Sequence, residues 1–90
     1  MDDGYRFYQK VSYAAYLIRE RYDVDFSSAG DGEALLSVRV NCWLDDHELE
    51  WILGKITSAG LNVEGWTIGP EGDAVEIDVH VTDGGDGGGT

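Results

Sequence analysis

The chain has 90 residues, ten of them aromatic and 42% hydrophobic, and its 18 Asp and Glu against six Lys and Arg give a formal net charge of −12. Such a length supports one domain with one modest core that buries roughly 60–65% of the unfolded surface, and so many aromatic residues are foreign to a disordered chain. The charge argues against a nucleic-acid partner, which needs a basic patch, and no apolar run reaches the ~18 residues that cross a bilayer.

Residues 5–22, YRFYQKVSYAAYLIRERY, lack Gly and Pro. Phe7, Val11, Ala14, Ala15, Ile18 and Tyr22 recur at helical spacing and define one apolar face. Asp2 and Asp3 precede this segment, where negative charge suits the positive end of a helix dipole. VDFSS is then read as a short strand, and AGDGE as a turn, because Gly30 and Gly32 permit positive φ. In ALLSVRVNC, Leu36, Val38, Val40 and Cys42 alternate with Ser37, Arg39 and Asn41, the pattern of a strand with one buried face.

The next segment, NCWLDDHELE, opens a second helix. Asp45 stands at the N-cap with Glu48 three residues on, a capping-box pair, and Leu44 and Leu49 bracket the cap as a hydrophobic staple. Leu49, Ile52, Leu53 and Ile56 form its buried stripe, and Gly60 is a natural stop. LNVEGWTI and AVEIDVHVT make a hairpin around GPEGD. Val75, Ile77, Val79 and Val81 face one way; Glu76, Asp78, His80 and Thr82 face the other. Leu61 and Val63 share a phase that Trp66 and Ile68 break, and a bulge near Gly65 reconciles them.

The expected fold is α+β, a two-layer sandwich in the order α-β-β-α-β-β. Two helices cover one face of an antiparallel sheet of three or four strands. Residues 1–82 form the domain and 83–90, DGGDGGGT, a flexible tail. YDVDF…GDGEALLSVRV and LNVEG…GPEGDAVEIDVHV each follow a helix and turn on Gly and acid, which points to a duplicated helix-plus-hairpin unit. In element order the chain resembles a ferredoxin-like sandwich with its first strand moved to the end, a likeness of fold that implies no activity.

Candidate chemistry is sparse. Cys42, His47 and His80, with Asp45, Asp46 and Glu50 as oxygen donors, are the possible metal ligands, and His47 and Glu50 lie three apart on one helix. Zinc sites are usually built on close Cys or His pairs, which this chain lacks, so no metal is expected. A reactive Cys42 with His47 as base is disfavoured because Cys42 alternates in phase with core residues, and buried cysteines of this kind are inert. The single cysteine also excludes an internal disulfide. No phosphate-binding glycine loop is present and no cofactor is expected.

The surplus aromatics are more informative. Tyr5, Tyr13, Tyr16 and Leu17 form a second stripe on the first helix, Trp51 lies nearly opposite the buried stripe of the second, and Trp43 is out of phase on its strand. Aromatic residues are enriched in protein interfaces and their hot spots. The expected function is therefore a non-enzymatic interaction domain, self-associating as a homodimer through these residues. One alternative is a small-ligand or metal site on the open sheet face at Arg39, Glu76, Asp78 and His80; another is a chaperone-like module for a second protein. Four of the six cations, Arg6, Lys10, Arg19 and Arg21, cluster on the first helix.

The acidic balance resembles that of halophilic proteins from salt-accumulating archaea, and a cytoplasmic location with no membrane contact is expected. In dilute buffer a chain of this charge repels itself and loses stability. Molar salt shortens the screening length to about 3 Å and removes most of that cost. Thermal melts in rising KCl should therefore show a steep gain, each recovered kcal/mol adding roughly 4–8 °C to Tm. A Tm unchanged between low and molar salt would contradict the halophilic reading.

Overall fold

A computed structural model of the chain describes residues 2–40 and 44–84. Helix α1 spans Asp2–Ile18, strands β1 and β2 span Asp23–Gly30 and Glu33–Val40, helix α2 spans Asp46–Ser58, and strands β3 and β4 span Leu61–Glu71 and Ala74–Asp83. The fold is the α+β arrangement expected, with four strands in one antiparallel sheet ordered β1-β2-β4-β3. Each α-β-β unit contributes one central strand, β2 or β4, and one edge strand. Because β4 lies between them, β2 and β3 run parallel and α2 bridges them as a split β-α-β unit.

Alternation decides which face the helices cover. Across the sheet Val24, Val38 and Ile77 share one row, Leu36 and Val79 the next, and Ala34, Val81 and Val63 a third. All but the half-buried Val63 are buried, and they meet Phe7, Val11, Ala14, Ala15 and Ile18 from α1 and Ile52 and Ile56 from α2. Among the described residues no polar or charged side chain is buried, so the layer between sheet and helices is wholly apolar. Leu49 and Leu53 of the expected α2 stripe are only half-buried, because α2 presents its narrow Ile52–Ile56 seam to the layer.

Several boundaries differ from the sequence reading. α1 begins at Asp2, so Asp2 and Asp3 are its first residues rather than its approach. It ends at Ile18; the chain then turns, with the Tyr22 and Arg21 amides donating to the Ile18 carbonyl, and Tyr22 turns in against Trp51. β1 is longer than VDFSS and runs Asp23–Gly30. In the second hairpin β3 continues through Gly69, Pro70 and Glu71, and only Gly72 and Asp73 form the turn. Proline is admitted there because β3 is an edge strand whose outward amides need no partner. Gly72, at φ +64°, suits the first position of a tight hairpin turn. β4 reaches Asp83, one residue past the expected domain end, and the Gly84 amide donates to the Gly60 carbonyl at 2.9 Å. Residues 85–90 of the expected tail lie outside the described residues.

The register of β3 shifts between Val63 and Gly65, the bulge that the broken phase required. Beyond it Trp66 pairs with Val79 and Ile68 with Ile77, which returns both to the helix-covered side. The expected N-cap of α2 is present: Asp45 is extended, and its Oδ1 accepts the Glu48 amide at 3.0 Å. The Glu48 carboxylate turns toward Arg21, 3.6 Å away, and so ties the start of α2 to the end of α1. At the other end Gly60 takes φ +93°, and a side chain there would press on Lys10 at 3.3 Å.

Two substitutions test this account. Asp45→Ala should lower stability by about 1 kcal/mol through loss of the cap. Ile56→Ala, at a fully buried position, should cost about 2–5 kcal/mol. Urea unfolding in molar KCl reads both.

Candidate functional site

The helical repeat that puts Phe7, Val11, Ala14, Ala15 and Ile18 into the core turns another set of α1 residues directly away from it. Tyr5, Tyr13 and Tyr16 are 68%, 52% and 63% exposed, and Tyr13 and Tyr16 stack with ring centroids 6.4 Å apart and planes 19° apart. Leu17 is half-buried beside them. Tyr8, which the stripe reading missed, is also exposed. It lies three residues after Tyr5, one turn along the same side of the helix, and that spacing was its signal. Four of the chain's five tyrosines are thus on the surface of one helix.

Charge makes this surface unlike the rest. Residues 5–19 contain no carboxylate and three cations, Arg6, Lys10 and Arg19, in a chain where one residue in five is acidic. A groove of about 370 Å³ runs beside the stripe, lined by Arg6, Gln9, Lys10, Tyr13 and Ala59 at the end of α2.

The tryptophans separate. Trp51 is half-buried and packs on the core. Tyr22 meets its ring edge-on at 5.9 Å, and the Arg21 guanidinium and Lys55 ammonium lie 4.6 and 5.4 Å from its centroid. These cation–π contacts occupy the ring inside the molecule. Trp43 and Cys42 lie outside the described residues. Trp66 and Ile68 return to the helix side through the bulge, yet both are exposed: on this edge strand only the first residues, Leu61 and Val63, pack on the core. Their phase was legible in the sequence; their position at the rim was not.

The uncovered sheet face carries the other candidates. Arg39, Glu76, Asp78 and His80 do project together from β2 and β4. By register Arg39 lies opposite Glu76. Instead Arg39 reaches Glu71, with Nη2 3.2 Å from Oε2; the β3 residue in its own row is Gly69, which has no side chain to meet it. Asp78 accepts from the Ser37 hydroxyl at 2.8 Å, its direct neighbour by register. His80 Nε2 and Glu33 Oε1 are 2.8 Å apart. A cavity of about 370 Å³ opens at one end of this face, lined by Arg19, Asp23, Asp25, Ser37, Arg39 and Glu76. Its two guanidinium groups sit among three carboxylates, which gives it no single sign of charge.

Among the described residues the possible metal donors do not converge. His47, Asp45, Asp46 and Glu50 are exposed on the first turn of α2, and His80 projects from the opposite side of the sheet. Among the described residues no group of three His, Cys, Asp or Glu side chains could hold a metal ion. Among them, too, no helix is long and apolar enough to cross a membrane. No protein-family model, curated protein or solved structure matches the chain.

The sheet-face pairs are half-open to solvent, and ion pairs of that kind contribute about 0–1 kcal/mol. Arg39→Ala and His80→Ala should each change unfolding free energy by less than about 1 kcal/mol, as read by urea titration. A larger loss in either would mark that residue as more than a surface partner.

Proposed function

We propose that this chain is a non-enzymatic interaction module that self-associates as a homodimer through the outward face of α1, and that it works in a salt-rich cytoplasm. The observation that carries the reading is the exposure of Tyr5, Tyr8, Tyr13 and Tyr16 on one helix of a domain this small. Tyrosine supplies large contact area at low conformational cost and is enriched where proteins meet. Isolated exposed rings need no explanation, whereas a contiguous aromatic surface points to association.

Electrostatics narrows the choice of face. Two copies, each with a formal charge of −12, repel across most approaches. The stretch from Tyr5 to Arg19 brings no carboxylate to the contact, so it is where two such surfaces can meet at least cost. Molar salt screens what repulsion remains, since the screening length falls to about 3 Å. The sheet face supports a ligand less well. Arg39, Asp78 and His80 each already engage a neighbouring side chain there, and an incoming ligand would have to displace those partners.

Light scattering after gel filtration in about 2 M KCl, a concentration at which surface charges are screened within roughly 3 Å, should give the mass of a dimer. Tyr16→Glu should keep its circular-dichroism spectrum and weaken association at least about tenfold, roughly 1.4 kcal/mol. A dimer indifferent to that substitution would move the contact off α1.

A further inference from the structure

The outward side of α1 carries one more pattern beside its tyrosines. Arg6, Tyr13 and Glu20 are spaced seven residues apart. Seven residues are almost two full helical turns, so Arg6 lies in line with Tyr13 about 10 Å before it, and Glu20 comes at the same spacing beyond it, in the turn that follows α1. Glu20 follows the last residue of α1, in the turn that the Arg21 and Tyr22 amides close onto the Ile18 carbonyl. Arg6 and Glu20 are both exposed, and among the described residues neither has an ion-pair partner. In this acidic chain an unpartnered Arg6 stands out: Lys10, Arg21 and Arg39 each meet a carboxylate.

Resting on the self-association proposed above, we infer that two copies meet as an isologous, antiparallel α1–α1 pair about a two-fold axis through Tyr13, with Arg6 of each copy paired to Glu20 of the other. In a symmetric dimer a residue n places before the axis faces the residue n places after it in the second copy. Antiparallel helices centred on Tyr13 therefore form two Arg6–Glu20 pairs. Parallel helices would set Arg6 against Arg6 and Glu20 against Glu20, a like-charge arrangement that costs affinity. The same operation places Leu17 and Tyr16 of the second copy opposite Gln9 and Lys10, which line the groove beside α2. The groove thus receives apolar side chains from the second copy, and the tyrosines cover the seam. A helix of this length is about 25 Å long, so the contact is small and the dimer concentration-dependent.

Disulfide trapping tests the register. In the full chain with Cys42→Ala, Arg6→Cys and Glu20→Cys are made as separate variants, both at exposed sites, and circular dichroism in molar KCl confirms their fold. Mixed and mildly oxidised, they should give a disulfide-linked dimer containing one chain of each kind, while each variant alone stays unlinked. Self-linked dimers from each variant alone would show parallel helices and overturn the inference. No linked species, with the wild-type chain dimeric by light scattering, would overturn this register and leave self-association standing. A wild-type chain monomeric up to millimolar concentration in molar KCl would overturn both.

Discussion

The apolar layer between the sheet and the two helices is the interaction on which the rest of the molecule depends. Leu36, Val38 and Val40 on β2 and Ile77, Val79 and Val81 on β4 are fully buried, and Ile18, Ile52 and Ile56 close over them. No polar group enters that layer among the described residues, so it owes nothing to a buried ion pair or hydrogen-bond network and everything to area removed from water and close packing. It must also offset the mutual repulsion of 18 carboxylates. Among the described residues no carboxylate side chain is buried, and the buried aliphatic residues of the sheet centre on its two middle strands.

That economy has a consequence at the margins. The two central strands are covered completely, and the edge strands are not. β1 loses burial beyond Val24, and β3 leaves Trp66 and Ile68 exposed on the side that should be interior. β3 guards its edge with the bulge at Gly65 and with Pro70, both of which interrupt the regular ladder a foreign strand would need. α1 pays for its position in a similar way. Its core face is already filled by Phe7, Val11, Ala14, Ala15 and Ile18, so its tyrosines lie on the surface.

The sheet face and α1 differ in how their polar groups are used. On the sheet, register places donors and acceptors next to one another, and Ser37 with Asp78, His80 with Glu33 and Arg39 with Glu71 answer each other locally. On α1 the outward residues have little to answer to: Tyr13 stacks on Tyr16, and among the described residues Arg6 has no ion-pair partner. Unused aromatic area and a stretch free of carboxylates favour α1 as the proposed contact surface.

Much of this was legible along the chain. The six elements, their order, the alternation of β2 and β4, the Asp45 cap and the bulge near Gly65 all follow from local rules of periodicity, capping and phase, and these act within a few residues. What the sequence could not hold was decided by non-local geometry. The strand order β1-β2-β4-β3 depends on α2 carrying the chain from β2 past β4 to the far edge. The exposure of Trp66 and Ile68 depends on how far along β3 the core extends. Trp51 looks free by helical phase, yet the turn after α1 brings Tyr22 and Arg21 onto its ring. The Arg39–Glu71 pair joins strands two places apart in the sheet. Local pattern determined what each segment is and which way its side chains face; tertiary packing alone decided which of those faces are covered, because burial belongs to pairs of elements and not to any one of them.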